Sequence, residues 1–401
     1  MKSSCFLLHL TLLTAVFSFA SCSPQSSDQD IRIDHALDYA LSQLEKSAAT
    51  LTDTDRFPTN DLPDGTWNTS DRYGWTSGFF PGCLWYAFDY TGDDEFRKAA
   101  VKWTESLEPV KDYTGGHDVG FMMNNSYGHG CRMTGNEEYR AILVRSAQSL
   151  SMRYKRVTGV IKSWDFNRDI WQYPVIVDNM MNLELLFWAW NNGGYSELFL
   201  IAEEHAIKTA YNHVRPDGST FHVVDYNPDT GEVNGKYTHQ GYSKDSAWSR
   251  GQAWALYGFT MTYRETNNAF FLETAVKAAD YFIDNLPDDH IPYWDFNAPD
   301  IPDEPRDSSA AAIAASGLLE LSGLVSDTPS KNRYYTAAVA IIESLCTPEY
   351  LTEGTRSPGI LRHGVGSLPA GSQVDVSLIY GDYYFIEALL RYKRGIGSSA
   401  P

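Results

Sequence analysis

Two aspartates stand where an acid–base pair could form. Asp118 lies in Gly115-Gly-His-Asp-Val-Gly-Phe, and Asp178 lies in Pro174-Val-Ile-Val-Asp-Asn-Met-Met-Asn-Leu. Each has apolar neighbours and opens a run that reads as a helix. Two readings stay open for each. One is an N-cap, because an Asp oxygen accepts from the first-turn N–H groups. The other is a carboxyl whose pKa is raised by apolar or like-charged surroundings until it can act as a general acid near neutral pH. A second constellation runs from Thr238 to Trp254 and holds His239, Gln240, Trp248, Arg250 and Trp254. The Arg250 guanidinium offers a fork for a carboxylate. The Trp faces suit a sugar ring or the guanidinium itself. So many donors would be costly in a dry core, which favours a polar site over a loop buried by its own aromatics.

Other chemistries find little support. His117, His129, His222 and His239 match no compact ligand spacing, so no metal is expected. No Gly-rich phosphate loop follows a strand and no G-x-S-x-G occurs, so neither a nucleotide cofactor nor a serine nucleophile is expected. Net charge is −19, from 32 Lys+Arg against 51 Asp+Glu, and no long basic run exists. Nucleic acid is therefore set aside as a partner. The 11 Trp, 25 Tyr and 19 Phe serve mostly a large core, with a few left for sugar.

The elements that must position these residues read as helix after helix. Amphipathic periods run from Ile33 to Leu44, Glu95 to Leu107, Glu137 to Tyr154, Leu183 to Trp190, Tyr195 to Val214, Gly251 to Glu265, Phe270 to Leu286, Ser309 to Leu324 and Arg333 to Leu345; Val376 to Lys393 closes the chain. Strand candidates are short: Val160 to Trp164 and Thr220 to Val224. Six polar or aromatic loops, at Trp75, His117, Val177, Trp248, Asp307 and Asp375, each open a helix rich in small and aromatic residues. A Gly, Asp or Asn turn and a more charged helix follow. The pattern predicts an all-α fold, an (α/α)6 barrel in which six helical hairpins close into a ring and the six loops gather at one mouth.

The N-terminus reads as an export leader. Lys2 precedes an apolar run from Cys5 to Ala20, too short to span a membrane comfortably. Phe19-Ala-Ser-Cys22 resembles a lipobox, which would make Cys22 a lipidated first residue. The expected division is a signal over 1–22, a polar tether over 23–30 and one catalytic domain over 31–395, in an exported protein that is periplasmic or anchored to the outer membrane. Cys83, Cys131 and Cys346 are odd in number with no CxxC pair, so buried free thiols are expected.

The motifs Gly-His-Asp-Val-Gly-Phe, Val-Asp-Asn-Met-Met-Asn-Leu-Glu-Leu-Leu-Phe-Trp-Ala, Thr-His-Gln-Gly with Trp-Ser-Arg-Gly-Gln-Ala-Trp, and Tyr380-Gly-Asp-Tyr-Tyr-Phe resemble the unsaturated glucuronyl hydrolases, glycoside hydrolase family 88. The resemblance spans about Ile31 to Arg391. It implies the (α/α)6 barrel and a role for each matched residue. Asp178 matches the general acid/base and Asp118 its partner carboxylate. His222, Gln240 and Arg250 match residues of the unsaturated-uronate subsite. Trp75, Trp164, Trp248 and Trp254 match pocket aromatics, with His117 and His239 beside matched residues. The implied substrate is an oligosaccharide ending in a 4,5-unsaturated uronate. Asp178 would protonate C4 of its enol ether, and water would add at C5. Family members acting on sulfated glycosaminoglycans receive sulfate in a C-terminal loop. Here Ser367 and Ser372 stand in that stretch, but Gln373 and Val374 follow Ser372 and no Lys is near. Rival readings are an unsaturated rhamnogalacturonyl hydrolase acting on pectin fragments and a non-catalytic surface glycan-binding lipoprotein. The motif around Asp118 favours the glucuronyl type. A pure binder needs no acid.

Overall fold

The computed structural model describes residues 28–395. The expected leader, Cys22 and most of the expected tether lie outside them. The first helix begins at Asp28, inside the polar stretch expected to extend to residue 30.

The elements are α1 (Asp28–Thr50), β1 (Phe57–Asp61), β2 (Trp67–Ser70), α2 (Phe79–Thr91), α3 (Asp94–Glu105), α4 (Val119–Met123), α5 (His129–Thr134), α6 (Glu137–Ser151), β3 (Tyr154–Lys155), β4 (Val160–Ile161), β5 (Pro174–Ile176), α7 (Leu183–Asn191), α8 (Ser196–His213), β6 (Val223–Tyr226), β7 (Val233–Tyr237), α9 (Ser249–Thr266), α10 (Ala269–Asp284), α11 (Ser308–Leu324), α12 (Thr328–Leu345), β8 (Gly364–Ser367), β9 (Ser372–Val376) and α13 (Ile379–Arg394). A π-helical turn, Asn124–Gly128, joins α4 to α5. A 3-10 turn, Val177–Asn182, leads into α7.

The arrangement is the predicted (α/α)6 barrel. The inner ring is α2, the α4–π–α5 run, the 3-10 turn with α7, α9, α11 and α13, each packed on the next and α13 back on α2. Inner helices are buried nearly all round, as α11 shows with Ala310–Ala312, Ala314, Ala315, Ser316 and Gly317. Outer helices bury one stripe: α3 buries Phe96, Ala100, Trp103 and Thr104, the spacing of a single helical face.

Glycine sets the spacing of this ring. A Cβ at Gly78 would collide with the Phe121 carbonyl oxygen. One at Gly120 would lie 2.5 Å from the Asn182 Cα, at Gly258 2.5 Å from the Met180 Cβ, and at Gly317 2.6 Å from a Leu256 methyl. One at Gly381 would lie 3.1 Å from the Ser309 Cβ, and one at Gly82 2.5 Å from the Tyr383 ring. Each seam between neighbouring inner elements therefore has a glycine at its closest approach.

Three inner-to-outer connections use one device. Thr91, Thr134 and Thr266 each bond back to the carbonyl four residues earlier and accept the N–H two residues later. Gly92, Gly135 and Asn267 then adopt left-handed backbone. Asp93, Asn136 and Asn268 cap the outer helix through their side chains.

The mouth carries more β-structure than the sequence suggested. Strands β1–β2 and β8–β9 form hairpins, and β5-β6-β7 form an antiparallel sheet. At the far end the start of α1 meets the end of α13, where Asp30 accepts from the Tyr392 hydroxyl at 3.1 Å and Asp34 pairs with Lys393. Cys83, Cys131 and Cys346 are free thiols. Among the described residues no helix is long and apolar enough to cross a membrane.

Candidate active site

The inner elements start at Phe79, Val119, Val177, Ser249, Ser308 and Ile379 and open toward one mouth. Asp118 occupies the N-cap position of α4 but makes no capping hydrogen bond. Asp178 sits in the first turn of the 3-10 segment, and its Oδ2 has no hydrogen-bond partner among the described residues. The cap reading fails at both positions, so each carboxyl is left for something other than helix termination.

Burial dominates the electrostatics of the pair. It pushes Asp178 up to about 7, against the pull of the Arg250 guanidinium and the site's own backbone, with the Asp118 charge adding to the rise. Burial also pushes Asp118 up to about 7, against the Asn182 amide and the Arg153 guanidinium. Asp178 is the more enclosed, with its side chain 12% exposed against 25% for Asp118. Near neutral pH one proton can therefore reside on either carboxyl.

Two histidines flank the pair as neutral rings. His222 Nδ1 accepts the backbone N–H groups of His239 and Gln240 at 3.1 and 3.2 Å. Burial holds its pKa well below the usual value. The proton of this neutral ring must then sit on Nε2, which lies 3.7 Å from Asp178 Oδ2. The β5–β6 pairing continues one residue further, where the Val177 N–H donates to the His222 carbonyl at 3.1 Å, and this brings the two side chains together. His117 Nε2 lies 3.4 Å from Asp118 Oδ1, and burial takes its pKa down to about 3.

Arg250 departs from the expected open fork. It is 1% exposed and pairs with Asp307 Oδ2 at 3.0 Å. It also donates to the Val365 carbonyl and, at 2.5 Å, to that of Gly366. Its guanidinium lies over Trp248 at 4.5 Å and Tyr380 at 5.3 Å. The Gln240 amide donates to the same Gly366 oxygen at 3.0 Å. Both side chains thus converge on a single carbonyl of β8. The Ser367 and Ser372 positions face each other across that β8–β9 hairpin.

The expected pocket aromatics separate. Trp248 packs on His222 with ring centroids 4.5 Å apart. Trp75 is half-buried against Phe79, Phe121 and Tyr380. Trp164 lies parallel to Phe166, 9° between planes and 4.8 Å between centroids, with His239 at its edge. Trp254 does not line the mouth. It is 1% exposed, packed between Phe121 and Tyr384, because it follows Arg250 by one turn deeper into α9. Sequence reasoning missed Asp307, which caps α11 through Oδ1 while Oδ2 holds Arg250. It also missed Asn182, whose Oδ1 accepts the Phe121 N–H at 2.9 Å and ties the two aspartate-bearing elements together. Asn182 lies at i+3 from Asn179, and in a 3-10 turn those two positions eclipse, which was the available signal.

Comparison with known proteins agrees with this geometry. Residues 48–357 match the sequence model of Glycosyl Hydrolase Family 88. The chain is 45% identical over 322 residues to an unsaturated glucuronyl hydrolase of Formosa agariphila, covering 79% of each. It is 36% identical over 366 residues to an unsaturated chondroitin disaccharide hydrolase of Streptococcus pneumoniae, covering 90% of this chain and 91% of that one. Among solved structures, an unsaturated glucuronyl hydrolase specific for heparin superposes with a TM-score of 0.87 at 41% identity, covering 91% of this chain and 98% of the other. A mouth with one buried and one partly buried carboxyl on the inner ring of an (α/α)6 barrel, neither spent on a helix cap, together with these matches, makes the chain a glycoside hydrolase belonging to family 88.

Proposed function

We propose that the chain releases a 4,5-unsaturated glucuronic acid from the non-reducing end of lyase-generated oligosaccharides of the glycosaminoglycan type. The observation that carries this reading is the Asp178 carboxyl, buried, uncapped, unpartnered at Oδ2 and raised to about 7. An enol ether must be protonated at carbon, and a carboxylic acid still protonated near neutral pH supplies that proton. Asp178 gives its proton to C4, and positive charge develops at C5 and the ring oxygen. Water adds at C5 and returns a proton to the Asp178 carboxylate. The resulting hemiketal opens, the aglycone departs as an alcohol, and the freed sugar rearranges to a keto form. An ionised Asp118 stabilises the developing cation.

Arg250 and Gln240 bind the uronate carboxylate in this reading. Their present acceptor, the Gly366 carbonyl, is a neutral oxygen, and a carboxylate is the stronger acceptor for a guanidinium. Arg250→Ala would strand the buried Asp307 charge, so Gln240→Ala is the cleaner probe. It should raise KM about three- to ten-fold with kcat nearly unchanged, as loss of a uniform binding contact does. An unaltered KM would reject the contact.

The test of the reaction is the ultraviolet absorbance of the conjugated uronate, followed with lyase-generated disaccharides. Loss of absorbance with glycosaminoglycan products is expected. Turnover of pectin-derived unsaturated disaccharides alone would assign the chain to the rhamnogalacturonyl activity instead. The leader-like run before Asp28 supports export with lipid on Cys22, tested by labelling cells with a radioactive fatty acid; a Cys22→Ala chain that still takes up label would reject that site.

A further inference from the structure

Helix α8 lies in the outer layer, yet one of its faces is neither apolar nor exposed. His205, Thr209 and His213 follow one another at four-residue steps on that face, and all three are fully buried. Other helical threonines, such as Thr260, Thr262 and Thr274, spend their hydroxyls on the carbonyl four residues earlier. The Thr209 hydroxyl has no partner among the described residues, and neither have His205 Nε2 and His213 Nδ1. Three polar atoms left over in one buried stripe cost more than an apolar stripe would. The acid–base chemistry described above uses none of them.

What the stripe gains is a grip on the turn that carries Asp178. His205 Nδ1 accepts the Ile161 N–H at 3.0 Å, and the Ile161 carbonyl accepts the amide of Asn179, the residue after Asp178, at 2.9 Å. The His213 ring donates from Nε2 to the Val175 carbonyl at 3.0 Å, three residues before Asp178. The His213 main-chain carbonyl accepts the Phe221 N–H at 2.8 Å, one residue before His222. One residue thus holds both the strand that leads to Asp178 and the segment that carries His222. Burial takes the His213 pKa down to about 3 and holds that of His205 well below the usual value, so both rings are neutral. Both protons sit on Nε2, in His213 because a carbonyl only accepts and in His205 because Nδ1 is itself an acceptor. Along the stripe the free groups then read donor, hydroxyl, acceptor, an order that buried water satisfies without moving either proton. Resting on the function proposed above, we propose that His213 is a positioning residue for the general acid: it fixes His222 and Asp178 to one point of α8 and so sets the 3.7 Å approach of His222 Nε2 to Asp178 Oδ2. His205 holds the far side of the same turn.

The experiment compares two amide variants. His213→Gln places an N–H where Nε2 was and keeps the Val175 contact. His213→Asn places it where Nδ1 was and cannot reach that carbonyl. With a lyase-generated unsaturated disaccharide, kcat of His213→Asn should fall about 10–10²-fold, the scale of a small misplacement of a reacting group. Its KM should hold, because no substrate contact is lost. His213→Gln should stay near wild type in both constants. Rates are taken well below the melting temperature of each variant, so loss of folded protein does not enter. Equal kcat in the two variants, or a change in KM that accounts for the loss, would overturn the assignment. Nitrogen-15 spectra of the histidine-labelled wild type need no variant to fold: the His213 ring should show Nε2 protonated and Nδ1 bare, unchanged between about pH 5 and 8. The opposite tautomer, or a ring that titrates in that range, would also overturn it. No turnover by the wild-type chain would instead sink the reaction itself.

Discussion

Asp178 and Asp118 have the same residue type and the same elevated pKa, yet they are not interchangeable. Asp178 is the more enclosed and lies within 3.7 Å of a neutral His222 N–H. That N–H can steady the carboxylate left after proton transfer without taking up charge itself. Asp178→Asn should lower kcat by at least about 10²–10⁴-fold, measured on any accepted disaccharide. The rate should also fall as pH rises above about 7, where Asp178 loses the proton it must donate. A rate that climbs through that range would remove Asp178 as the acid. Stability should move the other way. The folded-state pKa lies above the ordinary carboxyl value of 3.8, so the native state binds the extra proton. The stability linked to that proton is full below about pH 4 and is lost as pH rises through about 7. Asp178→Asn removes the charge that burial opposes, so it should melt higher than wild type at pH 8, by roughly 3 °C or more, with little difference at pH 4. Melting curves of the two proteins at both pH values decide this.

At the scale of elements, the seam between α4 and the 3-10 turn joins the two aspartate-bearing segments. Gly120 packs on the Asn182 backbone there. Gly120→Ala should force these segments apart, lowering kcat/KM about 10²-fold with a stability loss of about 1–3 kcal/mol. Asn136→Ala, a cap far from the mouth, should cost about 1 kcal/mol and leave kcat untouched. If both variants lose activity in proportion to stability, the seam has no special role. The outer helices were legible in the sequence because one buried stripe against charge gives a periodic contrast. The runs 79–87 and 119–130 carried no such contrast, being buried all round, and only the loops opening them betrayed them. The strands at the mouth were harder still. The β9 sequence Ser-Gln-Val-Asp-Val alternates without a clear inner face, and its pairing with β8 is bulged. Arg250 was legible as a carboxylate partner, but its Asp307 partner lies 57 positions away, and only the ring brings them together.

Across the whole molecule, charge is placed at both ends of the barrel. Away from the mouth Arg264 bridges Glu184, Glu265 and Glu320 at 2.5 to 2.9 Å, and Arg391 joins Glu320 at 2.9 Å. These contacts tie α7, α9, α11 and α13 together below the chemistry. Arg264→Leu would leave three carboxylates facing one another and should cost about 3–5 kcal/mol. Because the network lies apart from Asp118 and Asp178, kcat of the folded variant should stay near wild type in an assay below its melting point. A collapse in kcat without a fall in melting temperature would mean that the far end communicates with the mouth. The described residues also begin and end at that far end, where Asp30 and Asp34 meet Tyr392 and Lys393. Both ends of the described stretch therefore lie away from the rim, as the stem and foot of a cup do, and the approach to its opening is left clear of them.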